Sequence, residues 1–237
     1  MAIYNQPYNQ EFARREFIES GEDWLMRHLA GNLNTILDVG SNIGEWTRMT
    51  REFNPTAEIH TFEIVPDTYR KLLTNIAIDA KIVPNGFGLS DKPGTIEIKY
   101  CTTFDAVSTY LTELAVENFE WRTGLAMTGD QYSHSRRLDC IDFLKLDVEG
   151  AEGLVLAGFK ETIESNRVGI IQFEYGFANV LSRFLLVDAY RLLTPLGYRL
   201  GLLGPSGIEF RDYMLTHETF VAPNYVAVHP SHMHLFP

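Results

Sequence analysis

The stretch that most constrains this chain is Thr35–Gly44, with the sequence TILDVGSNIG. A short apolar run ends around an acid, and a turn with two glycines follows. In Glu45–Thr50 the apolar residues then recur at helical spacing. This order predicts a strand, a tight turn and the start of a helix. Such a turn directs backbone N–H groups and the positive end of the helix dipole towards a ligand.

The residues of this turn narrow the choice of ligand. A phosphate-binding loop would place a lysine after the last glycine, and a dinucleotide-binding turn would carry three glycines, whereas Asn42 stands at the middle position. Asp38 would repel a phosphate but attract an ammonium group. A second strand-like run, residues 58–62, is followed by Glu63, where an acid can accept hydrogen bonds from both ribose hydroxyls. Together the two acids favour S-adenosylmethionine over NAD.

Two motifs carry a resemblance to a known family. Asp38–Gly44 resembles the first motif of the Rossmann-like methyltransferases, and the variant with Asn42 resembles the FkbM family in particular. Ile141–Glu152, with the sequence IDFLKLDVEGAE, resembles the second signature of that family. The motifs occur in the right order, roughly a hundred residues apart, and the resemblance covers roughly residues 33–228.

The resemblance implies an α/β fold of the Rossmann-like class I methyltransferase type. Its seven-stranded, mostly parallel sheet would carry helices on both faces and a reversed last strand near residues 224–228. Strands that alternate with helices also predict a parallel sheet with right-handed crossovers. We expect an N-terminal helical extension in residues 1–32, with one helix over 9–31, followed by a single methyltransferase domain in residues 33–237.

The periodic pattern weakens between residues 101 and 137. We therefore expect an irregular acceptor-recognition insertion there, with a helix over 111–122. The alternating stretch 95–100 predicts an edge strand before it. Two further helices are predicted, one from Gly150 to about Ser165 and one over 179–193.

The predicted cofactor-binding residues follow the first three strands, at the sheet edge where ligands bind in open parallel sheets. They include the glycine turn, Glu63 and the loop after the third strand. Asp91 in that loop is a candidate partner for an adenine amino group, and equally a simple turn acid. The full set is Asp38, Gly40, Ser41, Asn42, Gly44, Glu63, Gly86 and Asp91.

Acids follow several central strands and are expected to converge on one crevice, where carboxylates raise one another's pKa. Asp147 is the first candidate for the base that takes the proton of an acceptor hydroxyl. Lys145 shares its strand face, either as a salt-bridge partner or as an acceptor contact. Glu174 is expected to orient the acceptor, and His134 is the alternative base.

A metal ion is the remaining question about this crevice. Asp147, Glu149 and Glu174 offer the hard oxygen ligands that Mg²⁺ takes. No spacing in the sequence requires such an ion, and resemblance to the FkbM family does not imply one. The prediction is a site without metal, with these three residues as the ligands if a divalent metal is used.

Composition limits the partners of the chain. Its 237 residues carry a formal net charge of −11, which argues against a surface for nucleic acid or an anionic membrane. The first residues lack the pattern of a signal peptide, and no apolar run is long enough to span a bilayer. We expect a cytoplasmic monomer or homodimer that acts on a small-molecule or saccharide acceptor.

The leading hypothesis is an S-adenosylmethionine-dependent O-methyltransferase. The acceptor class, a hydroxyl of a sugar, glycan or natural product, is implied by the family resemblance. One alternative is a non-catalytic nucleoside-binding or scaffold protein of the same fold, against which the intact Asp38, Glu63 and Asp147 argue. The other is an NAD-dependent oxidoreductase, which the missing middle glycine disfavours.

Overall fold

The structure, a computed structural model, describes residues 10–76, 79–101, 108–113 and 118–236. Helices and strands alternate through most of this length. The elements of the first part are α1 (Gln10–Ser20), α2 (Glu22–His28), β1 (Thr35–Val39), α3 (Glu45–Phe53), β2 (Glu58–Phe62), α4 (Pro66–Asn75), β3 (Ile82–Asn85), β4 (Gly88–Leu89), β5 (Gly94–Cys101), β6 (Phe119–Met127) and α5 (Gly129–Arg136).

The second part of the chain completes the sheet. Its elements are β7 (Ile141–Leu146), α6 (Glu152–Gly158), α7 (Lys160–Glu164), β8 (Val168–Gly176), α8 (Ala178–Ser182), α9 (Leu186–Leu193), β9 (Arg199–Gly204), β10 (Gly207–Phe210) and β11 (Val221–Val228). Short 3₁₀ helices occupy Thr194–Leu196, Leu215–His217 and Pro230–Leu235.

The main sheet has the strand order β10-β9-β11-β8-β7-β1-β2-β3. The five neighbouring strands β8, β7, β1, β2 and β3 pair in parallel, and β11 runs antiparallel between β8 and β9. The mostly parallel sheet and its reversed last strand are therefore confirmed. The strand number differs, because the short β10 pairs with β9 and adds an eighth strand to the expected seven.

A second, three-stranded sheet has the order β4-β6-β5. It corrects the prediction for residues 101–137, because β6 is a nine-residue strand that pairs antiparallel along β5. The predicted helix over 111–122 is thus wrong at its end, and residues 114–117 lie outside the described ranges. The alternation in β6 was hidden because Phe119, Trp121 and Leu125 place apolar side chains on its exposed face. The helix α5, which begins with a capping box from Thr128 and Gln131, was also missed.

Three predicted helices are each broken in two. The N-terminal helix breaks at Gly21, whose φ of 88° is left-handed and where any Cβ would overlap the carbonyl oxygen of Gly204. The helix predicted over 179–193 breaks at Arg183, which has a φ of 60°. The helix after Gly150 breaks at Phe159, a fully buried residue between α6 and α7.

The core lies on both faces of the parallel strands. Successive residues of a strand point to opposite faces, so each central strand feeds two apolar clusters. Leu37, Leu144 and Ile171 belong to the cluster under α6, α7 and α9, whereas Ile36, Phe143 and Ile170 belong to the cluster under α2, α3 and α4. No helix within the described ranges is both long enough and apolar enough to span a lipid bilayer.

Candidate active site

A cavity of about 390 Å³ opens at the carboxyl ends of the parallel strands. Its walls come from the turn after β1, the ends of β2, β7 and β8, the inner face of β5 and the N-terminal helix α1. This volume lies within the range of small-molecule sites. The position agrees with the rule that open α/β sheets bind ligands outside these strand ends.

The turn after β1 is fastened to β2 by hydrogen bonds. The backbone N–H groups of Gly40 and Ser41 both donate to the carbonyl oxygen of Phe62 at 3.0 Å. The Ser41 hydroxyl donates to the carbonyl oxygen of Asp38 at 2.7 Å and accepts from the Phe62 N–H at 2.8 Å. Gly40 and Ser41 line the cavity, so a ligand there meets a rigid backbone turn. Gly44 instead faces Leu72, where it lets α3 begin at a φ of 87°.

Glu63 is held at the cavity wall by two backbone donors. Its carboxylate accepts from the N–H of Asn42 at 3.0 Å and from the N–H of Val65 at 2.7 Å. The residue is only 7% exposed, yet it lines the cavity together with Asn42. A fixed carboxylate at the end of β2 is the group that the hydroxyls of a ribose can donate to.

A row of polar residues crosses three neighbouring strands beneath the cavity. Asp38 of β1, Lys145 of β7 and Gln172 of β8 are direct neighbours in the sheet register. All three are buried, with Asp38 fully so. Buried polar groups of this kind need partners, and the partners of Asp38 and Lys145 explain how the row is stabilised.

The structure places Asp38 below the cavity and not on its lining as described. Its carboxylate accepts from the Thr47 hydroxyl at 2.5 Å and lies 3.7 Å from Lys145 Nζ. Burial raises the pKa of Asp38, and the charge of Lys145 opposes that rise. The expected direct contact with an ammonium group is not what this geometry provides, because the carboxylate is fully buried between Thr47 of α3 and Lys145 of β7.

Lys145 is the central cation of the site. Its Nζ lies 2.9 Å from Asp147 Oδ2, and its side chain is only 4% exposed. Burial alone would lower the pKa of Lys145, but the carboxylates of Asp147, Asp38 and Glu22 outweigh burial and raise it. Lys145 is therefore a charged salt-bridge partner that fixes the position of Asp147.

Asp147, Glu149 and Glu174 meet at the end of β7 and β8. Each offers a carboxylate oxygen within 4.8 Å of the other two, close enough for a single divalent cation to contact all three. Burial, and then the charge of Asp147, raises the pKa of Glu149 to about 8. The same causes raise the pKa of Glu174 well above its ordinary value. Glu149 therefore holds a proton near neutral pH.

The loop that carries this cluster is held by Glu152. Its Oε1 accepts from the backbone N–H groups of Val148 at 3.2 Å and Gly150 at 3.3 Å. Its Oε2 accepts from Asn179 Nδ2 at 3.0 Å, which links the loop after β7 to α8. Glu149 has a left-handed φ of 50° in this loop, a strained conformation for a non-glycine residue. Glu152 therefore positions the acids and lies fully buried itself.

Besides Asp38 and Gly44, three predicted site residues lie away from the cavity lining as far as it is described. His134 is on the outer face of α5, with Nε2 at 3.3 Å from Glu161 Oε1. Gly86 packs against the Tyr69 ring, and Asp91 is an exposed acid beside Ser90. The loop after β3 still reaches the cavity, but through Gly88, Leu89 and Ser90.

The structure also brings in residues that sequence reasoning missed. Glu22 of α2 and Asn224 of β11 line the cavity, and Gln172 joins them by hydrogen bonds of 2.7 Å and 3.2 Å. Helix α1 adds Glu16, Phe17 and Ser20 to the lining. The one signal in the sequence was Gln172, a single polar residue inside an apolar strand. A buried glutamine requires a polar partner, but the sequence does not show which residue that partner is.

The residues present fit an S-adenosylmethionine molecule. Asn42 Oδ1 and Trp46 Nε1 are buried and have no hydrogen-bond partner among the described residues, and both residues line the cavity. Such orphaned groups are rare in native proteins unless a ligand or water completes them. Together with Glu63 they offer an acceptor, a donor and a carboxylate beside the glycine turn.

Comparison with known proteins finds methyltransferases among the relatives of this chain. Curated relatives include the hexuronic acid methyltransferase AglP of Haloferax volcanii, 27% identical over 70% of this chain and 72% of that protein. Another is the 2-O-methyltransferase NoeI of Sinorhizobium fredii, 25% identical over 73% of this chain and 76% of that protein.

Solved structures show the same fold at low identity. A precorrin-6y C5,15-methyltransferase from Geobacter metallireducens superposes with a TM-score of 0.52 at 11% identity, covering 97% of this chain and 93% of that one. A putative caffeoyl-CoA O-methyltransferase from Staphylococcus aureus has a TM-score of 0.50 at 12% identity, covering 94% and 93%. The fold is thus that of the Rossmann-like methyltransferases.

The family model for the methyltransferase FkbM domain matches residues 38–200, which is most of the chain. The match begins at Asp38 in the glycine turn and includes the loop with Asp147 and Glu149. The chain therefore belongs to the FkbM family and is an S-adenosylmethionine-dependent methyltransferase.

Proposed function

We propose that the chain transfers the methyl group of S-adenosylmethionine to a hydroxyl oxygen of a sugar, a glycan or a related polyhydroxylated acceptor. The observation that carries this proposal is the meeting of Asp147, Glu149 and Glu174 in the same cavity as the glycine turn and Glu63. Relatives named for a hexuronic acid and for 2-O-methylation support a hydroxyl acceptor on a sugar.

On this proposal, the glycine turn and the end of β2 would hold the cofactor. Glu63 would accept from its ribose hydroxyls, while Asn42 Oδ1 and Trp46 Nε1 would find partners on it. We assign no direct contact to Asp38, which lies beneath the turn. The loop after β3, at Gly88–Ser90, forms the adjoining wall.

Asp147 is the proposed base. Bound S-adenosylmethionine supplies a methyl group on a positively charged sulfur. As the acceptor oxygen forms its new O–CH₃ bond and the S–CH₃ bond breaks, Asp147 takes the hydroxyl proton. Lys145 fixes the carboxylate at 2.9 Å, and Glu152 holds the neighbouring loop, so the acceptor meets a preorganised base.

The proposed transfer requires no metal ion. Lys145 already compensates the charge of Asp147, and the proton that Glu149 holds reduces the repulsion within the cluster. If a divalent ion were used, these three carboxylates would be its ligands. We propose that acceptor recognition also involves the segment 101–137, of which Ser108 and Tyr110 line the cavity.

The test is methyl transfer by the purified protein from S-adenosylmethionine labelled in its methyl group to a set of methyl glycosides. Asp147→Asn should lower kcat by about 100-fold or more, because the base is lost, while the affinity for S-adenosylhomocysteine stays the same. Asp139→Asn, a change of the same kind at an exposed residue, is the matched control. An unaltered rate in Asp147→Asn would show that Asp147 is not the base.

The same preparation separates the alternatives. A scaffold protein would show no label transfer to any acceptor, and an NAD-dependent oxidoreductase would bind NAD in preference to S-adenosylhomocysteine. Label recovered on nitrogen or carbon, with none on oxygen, would contradict the assignment to O-methylation.

A further inference from the structure

Asn224 is a cavity residue without an assigned role. It lies on β11 directly opposite Glu174 of β8 in the antiparallel register, and both residues line the cavity. Opposed residues on neighbouring strands have Cβ atoms about 5 Å apart. The amide and the carboxylate therefore stand side by side at the acceptor end of the cavity.

The orientation of the Asn224 amide is set from behind. Gln172 Nε2 donates to Glu22 Oε1 at 2.7 Å and to Asn224 Oδ1 at 3.2 Å. A primary amide has two N–H donors, so Gln172 uses both of them. The oxygen of Asn224 is thereby occupied, and its Nδ2 donor accordingly remains for the cavity.

Glu174 complements this donor. Within the described ranges, neither the Glu174 carboxylate nor Asn224 Nδ2 has a hydrogen-bond partner, although both residues are partly buried. A donor beside an acceptor matches two neighbouring hydroxyl groups, since each hydroxyl both donates and accepts. An unpaired donor and acceptor in a half-buried site discriminate strongly in favour of a ligand that pairs both.

The charges of the cavity exclude another class of acceptor. Lys145 is the single basic residue on its lining as described, and its Nζ already lies between Asp147 at 2.9 Å and Asp38 at 3.7 Å. An anionic acceptor would face the carboxylate of Asp147 without a free cation to bind it, because Lys145 is already paired. Like charges held close together in a poorly solvated site repel strongly.

We propose that Asn224 and Glu174 form a subsite for an uncharged vicinal diol of the acceptor. Asn224 donates to one hydroxyl oxygen, Glu174 accepts from the neighbouring hydroxyl, and the buried pair Gln172 and Glu22 sets the orientation of the amide. This inference rests on the proposed function and adds to it the chemical class of the acceptor: a neutral polyol, in contrast to the hexuronic acid for which one relative is named.

The experiment compares matched acceptors with the wild-type protein. Methyl glucoside, methyl galactoside and methyl mannoside are each paired with the corresponding 6-carboxylate, which keeps the ring diols and adds a negative charge. Formation of S-adenosylhomocysteine gives kcat/KM for every probe. We expect the neutral members to exceed their uronate partners by about tenfold or more.

A variant then tests the subsite itself. Asn224→Asp keeps the oxygen that Gln172 donates to but replaces the donor with a second carboxylate. It should raise KM for the neutral acceptor by about tenfold and leave the Kd of S-adenosylhomocysteine unchanged. Asn32→Asp makes the same chemical change at an exposed residue outside the cavity and should alter neither quantity.

Each outcome decides the inference. A preference for uronates, or an unchanged KM in Asn224→Asp, overturns the diol subsite. If neutral glycosides and their uronate partners are methylated equally well, the diol subsite is overturned while the proposed methyl transfer stands. If no glycoside of either kind is methylated, the proposed function fails. If S-adenosylhomocysteine does not bind, the proposed function itself fails. The wild-type comparison remains decisive even if the Asn224 variant does not fold.

Discussion

Lys145 shows how one residue can determine the charge balance of a whole cavity. It is nearly buried between Asp38 and Asp147. It offsets the carboxylate of Asp38, which the strand register places opposite it, and that of Asp147, two residues further along its own segment. Removing one partner from a buried ion pair leaves the other charge without compensation, which costs more than the pair itself contributes.

Lys145→Met should therefore lower the free energy of unfolding by about 3–5 kcal/mol, because fully buried Asp38 loses its cation. Urea denaturation of the variant measures this loss. Lys160→Met, which breaks the exposed pair with Glu164, should change the same quantity by no more than about 0.5 kcal/mol. Equal effects in the two variants would contradict the buried ion pair.

Glu149 makes the stability depend on pH. Its pKa rises from 4.5 to about 8 on folding, first because of burial and then because of Asp147 and Glu152. The folded protein therefore holds a proton that the unfolded chain releases in this interval. As pH rises from about 4.5 to about 8, the contribution of Glu149 to the free energy of unfolding therefore decreases.

Glu149→Gln removes this titration. It should raise Tm relative to the wild type at pH 8 and have little effect at pH 5, because the glutamine resembles the protonated acid. Scanning calorimetry at the two pH values measures the difference. Glu164→Gln serves as the control at an exposed glutamate. A stabilisation that is the same at pH 5 and pH 8 would be evidence against the raised pKa.

In the proposed binding mode, the turn after β1 is the element that contacts the cofactor. Gly40 has a φ of 82°, and a Cβ there would overlap the carbonyl oxygen of Asp147. This close approach joins the first motif to the second, because the Asp147 N–H also donates to the carbonyl oxygen of Val39 at 3.0 Å. Position 40 therefore requires glycine for two reasons: its left-handed φ, and the close approach of the Asp147 carbonyl oxygen.

A pair of glycine substitutions separates these two causes. Gly31 has a similar φ of 73° but nothing within 4 Å of its added Cβ, so Gly31→Ala should cost only the strain of a left-handed alanine, about 1 kcal/mol. Gly40→Ala should cost several times as much and weaken binding of S-adenosylhomocysteine. Denaturation and calorimetry on both variants provide the comparison, and equal losses would count against the contact.

Elements with a clear period were predictable from the sequence, and those broken by local backbone geometry were not. The apolar runs of β1, β7 and β8 predict buried parallel strands. The breaks at Gly21 and Arg183 leave the helical period almost undisturbed, so a single helix is predicted across each of them. For β6, apolar residues on both faces concealed the alternation.

The site was predictable only where it follows strand ends. Glu63, Asp147 and Glu174 each come at or just after the end of a predicted strand, and the structure brings all three to the cavity. Asn224 reaches the cavity because β11 pairs with β8. Its partner Gln172 lies 52 residues earlier in the sequence, and no local pattern encodes that register. The prediction that Asp38 faces the ligand did not foresee its burial, because its partners Thr47 and Lys145 are brought to it by helix packing and sheet register.

At the scale of the whole molecule, the sheet collects residues from distant parts of the chain at one edge. The turn after β1 and Glu63 form one side of the cavity, the acids after β7 and β8 the other, and α1 adds part of the wall. The central claim is that this cavity binds S-adenosylmethionine through Glu63, with the acids beside its methyl group.

Calorimetric titration of S-adenosylhomocysteine into the wild type and Glu63→Ala tests this claim most directly, with Glu164→Ala as the control at an exposed glutamate. We predict binding of one molecule per chain, weakened by about tenfold or more in Glu63→Ala and unchanged in Glu164→Ala, because the ribose hydroxyls lose a charged acceptor. Undiminished affinity in Glu63→Ala, or binding of NAD in place of S-adenosylhomocysteine, would contradict it.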